Sequence, residues 1–597
     1  MASMGSFCPG DPHSESEDST NNDSAESGEN TTESEDSVGS TWLPAANPLE
    51  KRGKQALQRS TCGLYCMYAL VGINYGFFAH YINIPICQYV FGPMGAPGRA
   101  SVQQCNVSTS IITMPWNFKF FYGFLIDSCR FCGTVRKGWI LMGWSVSLAV
   151  LLVMAFATPM FVESGNFAGY SILCALQCFF YMFADVAGDG MTIELTKLES
   201  EDIRGHILTT GQMVRFTSSM LINVVGLLCM NGRSYLPSAH AAAPPPRNCT
   251  GGVSNATCSS QEVCGKHDAG LTFPFEVSFG LMHVVIFCLE VPLFLGMCAW
   301  LSDPPRVEEE HRRKRDSLRL LWTVMRSKAM LLLVIFSLGS IALASLQNPA
   351  QNNIANIAEP TTLQNSVGNM LGSLLFLIGV WVFRKYLMNF NWRFTFVWTS
   401  LLVVGNNVIQ LLVVYNAWGV GRDGWFYVFG SNVLQFIQGI AQVLSSLAIA
   451  EISPPGLEAT VYEILVSVHN GAMTLNTNIQ NIFVPVFRLN GISARTFFPC
   501  PSNPNPPQLQ MVQDMANATY FTMVVNVVGT VAFAFLFPKD KPQTRAWRDN
   551  RWWHRQWVGM LGAIIGGGSF VFAVFVSFLS LFPATMCLRI AGGRGCG

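Results

Sequence analysis

The ten residues Arg306–Arg315, RVEEEHRRKR, decide how this 597-residue chain is read. They interrupt a sequence that is 50% hydrophobic and only 12% charged, where soluble proteins carry about 25% charged residues. Before the run lie six apolar segments, near 61–83, 108–126, 139–160, 168–194, 206–230 and 273–301. After it lie six more, near 328–347, 363–383, 394–415, 425–450, 459–486 and 518–537. Each is long enough, at about 20 residues, to cross a bilayer as a helix. A thirteenth, near 558–582, follows a basic aromatic stretch. The pattern predicts an all-α polytopic membrane protein of two six-helix halves plus one C-terminal transmembrane helix, and it excludes an ordinary soluble enzyme.

Working outward from that run, the chain divides into a tail (1–57), a first six-helix half (58–301), a cytoplasmic linker (302–327), a second half (328–537) and a terminal interfacial segment with the extra helix (538–597). The tail is rich in Ser, Asp and Glu without apolar periodicity, a composition that predicts disorder. Residues 1–50 hold 11 of the 36 acidic residues and no Lys or Arg, so the formal net charge of +1 conceals an acidic tail set against basic loops. Placing the amino terminus in the cytoplasm puts most of the 37 Lys and Arg in cytoplasmic segments, as the positive-inside rule requires. The same orientation places the glycosylation sequons at Asn106, Asn248, Asn255 and Asn517 in external loops. External loops would also carry Cys105, Cys249, Cys258, Cys264 and Cys500, where disulfides persist. A multi-pass protein of the plasma membrane is the expectation.

Charged side chains are costly at bilayer depth, so those inside spans are functional candidates by default. They are Lys119 in the second span, Asp185 and Asp189 in the fourth, Arg215 in the fifth, Glu290 in the sixth, and Glu463, placed shallow in the eleventh. Asp185 and Asp189, four residues apart, share a helix face. Asp189 and Arg215 are equidistant from the turn near Asp202, so matched depth predicts that these two pair. His469 joins them as a candidate proton carrier, because a histidine titrates near physiological pH. Its 11-residue spacing from Glu458 repeats that of Arg204 and Arg215. Between the second and third spans, Asp127 followed by Arg136 and Lys137 has the form of a charged gating loop, although positive-inside anchoring accounts for both bases equally well.

Several stretches carry a resemblance. Pro115, Trp116, Lys119, Tyr122, Gly123 and Asp127 are similar to the second-span signature of the folate-biopterin transporter family. Asp189–Glu194, DGMTIE, followed by Gly211 and Arg215, resembles that family's fourth-span segment, with Gly190 standing where small aliphatic residues are usual. Ser453–Thr460, SPPGLEAT, with Gly456, Glu458 and Thr460, resembles its segment before the eleventh span. The six-plus-six plan likewise resembles the major facilitator superfamily, whose halves are structural repeats. The resemblance implies a secondary active transporter of folate, biopterin or a related metabolite, working by alternating access. It implies that Lys119 and Arg215 meet a substrate carboxylate while Asp185 or Asp189 bonds ring nitrogens or carries a coupling proton. Alternatives from other classes are a transporter-like membrane receptor or sensor, and a major facilitator carrier for another organic solute.

No phosphate-loop or zinc-protease motif occurs in the sequence, so neither an enzyme nor a cofactor or metal site is expected, and the expected partners are a small molecule and the lipid bilayer. The segment Arg545–Trp557 mixes arginines with tryptophans as interfacial anchors do, which favours lipid headgroups over nucleic acid. Gly562 and Gly566 in the last span predict close helix packing.

Overall fold

The computed structural model describes residues 51–81, 112, 114–164, 166–200, 203–230, 275–303, 314–358, 360, 362–489, 507–550, 555–581, 585, 588 and 590. The expected tail up to residue 50, the sequons at Asn106, Asn248 and Asn255 and the five external cysteines lie outside these residues. Helices are α1 Lys51–Asn74, α2 Lys119–Ser128, α3 Lys137–Ser164, α4 Phe167–Lys197, α5 His206–Cys229 and α6 Phe279–Trp300. They continue as α7 Lys314–Met325, α8 Lys328–Gly339, α9 Gln351–Ala358, α10 Thr362–Val382, α11 Trp392–Val414 and α12 Gly424–Ile452. The last are α13 Glu458–Val486, α14 Pro507–Ala534, α15 Lys541–Asp549 and α16 Gln556–Leu581. Residues 59–597 form one compact unit.

Helix ends fall where the sequence supplies caps. Asn166, Ser278, Ser327, Asn391, Asp423 and Asp540 each accept a hydrogen bond from a backbone N–H of the helix that follows. Helix α1 starts at Lys51, inside the stretch expected to be tail, and α14 starts at Pro507, well before the expected 518. That earlier start overturns one expectation: Asn517 is exposed on a helix and not in a loop. Three helices run on into π-helical turns, Tyr75–Tyr81, Ser340–Ala344 and Phe383–Leu387.

Among the described residues nine helices are long and apolar enough to cross a membrane, or ten if α7 and α8, which meet at 68°, count as one. The other expected spans correspond to helices that miss this standard for physical reasons. Described helix α2 is only 10 residues long, and α13 carries Glu458, Glu463 and a series of Asn and Gln residues. Large apolar side chains stand open on the outer surface, among them Phe156 (75% exposed), Ile564 (71%) and Leu295 (60%). Water would not tolerate such a surface, whereas lipid matches it, and the chain is a multi-pass membrane protein.

Within the first half α3 packs along α4 and α6; within the second α10 packs along α12, and α11 along α12 and α14. Contacts between the halves run through α2 against α13, α4 against α13, and α5 against α10. Helix α16 lies on α13 and α8; a Cβ added to Gly566 would stand 3.1 Å from Val468, and one added to Gly562 would stand 3.8 Å from Leu331.

Candidate functional site

Facing helices of the two halves bring five ionisable side chains to one buried point. Lys119, 3% exposed, lies at the start of α2, where Phe118 interrupts the helical path leading from Pro115. Its Nζ is 2.6 Å from Asp185 Oδ2 and 3.7 Å from both Asp189 Oδ2 and Glu463 Oε1. Arg215 on α5 lies 3.0 Å from Asp185 Oδ1. Asp185 and Asp189 do share one face of α4, one turn apart. The expected pairing is nevertheless corrected: Arg215 pairs with Asp185 and not Asp189, because depth matching along a helical hairpin says nothing about rotation of one helix about its axis. Asp189 instead accepts a hydrogen bond of 2.7 Å from Tyr68 Oη, which also meets Thr192 Oγ1 at 2.8 Å.

Glu463, near the start of α13, is within reach of the Lys119 ammonium. It is fully buried. The cluster thus holds three carboxyl groups against two permanent cations, one from the second half and four from the first. Aromatic rings wall it. Trp116 lies 5.4 Å from Lys119 Nζ and 6.0 Å from the Arg215 guanidinium carbon, distances suited to cation–π attraction. Tyr75 packs on Trp116 at 5.3 Å, and Phe216 meets Phe376 across the halves at 3.8 Å. His469 is not brought into this cluster. It makes no ion pair with it among the described residues, and its correspondence with Arg215 stops at sequence spacing.

A second network closes one end of the bundle, beside the loop from Cys129 to Arg136. Arg136 is completely buried, so it is no interfacial anchor. Its guanidinium reaches Asp127 at 2.6 Å, Glu194 at 2.8 Å and Glu458 at 3.6 Å. Asp127 Oδ2 accepts two hydrogen bonds from the other half, from the Thr460 amide at 2.7 Å and the Thr460 hydroxyl at 2.6 Å. Glu458 also pairs with Lys197 at 3.2 Å and accepts from the Gly456 amide at 2.9 Å. Gly456 holds φ at +83°, a left-handed conformation that glycine adopts freely. Asp303 caps α3 by accepting from the amides of Val135, Arg136 and Lys137, which orients the arginine inward. Of the two expected basic gate residues, Lys137 contributes its backbone amide to that cap, and its side chain is in no ion pair among the described residues. Cys129 is a free thiol while Cys132 is disulfide-bonded, so these two cysteines of the loop are not joined to each other.

Two glycines make this closure possible. A Cβ on Gly123 would stand 2.9 Å from the Ala459 carbonyl oxygen, so α2 and α13 touch backbone to backbone. A Cβ on Gly190 would stand 3.0 Å from the Arg136 guanidinium carbon and 2.9 Å from Ala459 Cβ. Glycine at position 190 therefore leaves room for the Arg136 guanidinium. Farther out on the same end, Glu451 pairs with Arg204 at 3.8 Å and Arg545 at 2.7 Å. Lys541 donates to the Arg204 carbonyl at 3.0 Å. Tyr68, Asp303 and Glu451 had no signal in the sequence, being ordinary residues in a helix or at a helix end.

Residues 308–492 match the model of the BT1 family. A stretch of 196 residues, 32% of the chain, is 26% identical to the folate-biopterin transporter of Synechocystis sp. and spans 39% of that protein's length. Among solved structures, the major facilitator proton:xylose symporter XylE, bound to 6-bromo-6-deoxy-D-glucose, is similar with a TM-score of 0.50 at 12% identity. The match covers 83% of this chain and all of that one. The major facilitator transporter FucP, in its outward conformation, is similar with a TM-score of 0.45 at 12% identity, over 79% of this chain and 99% of that one. The fold is the major facilitator fold.

Proposed function

We propose that this chain, whose residues 308–492 match the model of the BT1 family, is a secondary active carrier that moves a pteridine-like organic solute by alternating access, coupled to protons. The observation that carries the reading is the Lys119 cluster: three carboxyl groups and two cations, buried where the halves meet. A mobile substrate anion can exchange with Asp185 for the Arg215 and Lys119 charges. Buried carboxylates in excess of cations take up protons, because an uncompensated charge is expensive away from water. Trp116, Tyr75, Phe216 and Phe376 offer faces to a planar ring, and the acids offer acceptors to ring N–H groups. The name of the Synechocystis relative supports a folate or biopterin ligand.

In the alternating cycle the Arg136–Asp127–Thr460–Glu458 network is the gate, closed in this conformation. We place it on the cytoplasmic side with the amino terminus, in the plasma membrane, which puts basic loops inside and the conformer open outward. The boundaries 58–301 and 328–537 serve as the moving halves. The chemistry is that of a carrier and not of an enzyme.

The test is uptake into vesicles reconstituted with the full-length protein, using radiolabelled folic acid, biopterin and S-adenosylmethionine with and without an inward proton gradient. One of these should accumulate, faster with the gradient. Lys119→Ala and Arg215→Ala should abolish its uptake at equal incorporation. Undiminished uptake by both variants would remove the cluster from the mechanism.

A further inference from the structure

A second buried acid lies in the first half, apart from the central cluster. Glu290, on α6, is completely shielded from solvent. Asn74 Nδ2 donates to its Oε1 at 2.6 Å, and the same amide donates to the Leu70 carbonyl at 3.0 Å. Asn74 Oδ1 in turn accepts from Gln177 Nε2 on α4. Glu290 Oε2 and Gln177 Oε1, both buried, have no hydrogen-bond partner among the described residues. The three side chains form a chain of amides ending at a carboxyl, spanning α6, α1 and α4.

No cation faces this carboxyl among the described residues. Helix α3, packed along α6, has charged groups only at its ends, Lys137 and Glu163. Helix α1 is uncharged from Ser60 to Asn74. The charges of α4 and α5 at membrane depth, Asp185, Asp189 and Arg215, are engaged in the central cluster. On α6 itself the other titratable groups are the free thiols of Cys288, which is exposed, and Cys298, and the His283 imidazole, held by Tyr170 Oη and the Phe279 carbonyl, each at 2.9 Å. An ionised carboxylate with one amide donor and no counter-charge would be strongly disfavoured in this setting, and the ordinary resolution is to bind a proton. A metal ion would need several converging oxygens, and no group of three or more His, Cys, Asp or Glu side chains suited to one occurs among the described residues.

We propose that Glu290 is a second proton-binding site, internal to the first half and distinct from the Lys119 cluster. Its position connects it to that cluster. Asn74 is the last residue of α1, and the next residue, Tyr75, opens the π-helical turn and packs on Trp116, the ring beside Lys119 and Arg215. Such turns are common at functional sites. Loss of the Glu290 proton would leave a carboxylate charge beside the Asn74 amide, strengthen the hydrogen bond it donates and pull on the backbone that seats Tyr75.

Infrared difference spectroscopy of the full-length protein in lipid vesicles, in H2O and D2O, reads this directly, independent of any transported solute. Wild-type protein at neutral pH should show a protonated-carboxyl carbonyl band that Glu290→Gln lacks. Asn74→Leu, which removes the amide donor and keeps Glu290, should shift the same band, and Lys119→Ala should leave it in place. A wild-type band unchanged in Glu290→Gln would overturn the proposal. So would its displacement by sodium at constant pH, which would make the site a metal site, or its loss in Lys119→Ala, which would make the two sites one.

Discussion

Replacing Thr460 by valine removes one hydrogen bond from the gate and little else. The hydroxyl donates to Asp127 Oδ2 at 2.6 Å, while the Thr460 backbone amide keeps its own bond at 2.7 Å. Valine has nearly the same shape, and with Thr460 only 1% exposed no water takes the lost donor's place. A hydrogen bond to a charged group contributes roughly 1.5–3 kcal/mol. Because this bond joins α2 of one half to α13 of the other, the loss falls on the closed-gate state; once the gate opens, water satisfies both groups. The open population should therefore rise by roughly 10- to 150-fold. The readout is a cysteine at Ser467, 4% exposed on α13 and about two turns beyond the gate, alkylated by a membrane-impermeant maleimide from the gate side after native thiols are blocked. Ser467→Cys should label faster in the Thr460→Val background by a comparable factor. Thr522→Val, which deletes a hydroxyl bonded only within α14, should leave the rate alone. Equal labelling in all three proteins would refute the gate.

Asp185 bridges both cations, so Asp185→Asn should cost about 3–5 kcal/mol of stability, as expected when a buried pair loses one partner. Asp189→Asn keeps an acceptor for Tyr68 and should lower stability by only about 1 kcal/mol while impairing gradient-driven uptake. Thermal melts in detergent and vesicle uptake separate the two, and the reverse ranking would contradict the assigned pairing. Gly123→Val pushes side-chain carbons against the Ala459 carbonyl, an overpacking cost of roughly 1–3 kcal/mol borne by the closed gate. It should raise labelling at Ser467→Cys as Thr460→Val does, and a wild-type rate would show that α2 and α13 do not need to touch.

The second network draws on Asp127, Glu194, Gly456, Glu458 and Thr460, which sit in short local motifs, and its gating role is the proposal made above. Arg136 was named too, but whether it anchored at a surface or entered the protein depended on the Asp303 cap from a distant segment. In the central cluster the expected partnership of Arg215 with Asp189 gives way to one with Asp185. Position along a helix gives depth, and depth put Asp189 level with Arg215; the rotation that turned Arg215 toward Asp185 is set by packing of α4 and α5 against their neighbours. Glu463 looked shallow because it lies near the start of α13, but the flexible stem of Lys119 reaches it. His469 was promoted by its spacing from Glu458, and spacing alone does not decide which face of α13 meets the other half.

What the sequence by itself determined was the membrane environment, the all-helical two-half plan and the short list of charges too costly to bury without purpose. These follow from hydropathy and charge, which are sums over local residues. Only the tertiary structure decided which charges meet. Five ionisable groups from α2, α4, α5 and α13 converge within a few ångströms, Gly123 and Gly190 clear space for the contact, and Glu290 is left with an amide and no cation. Such pairings depend on the rotation and crossing of helices far apart in the chain, and no local pattern encodes them.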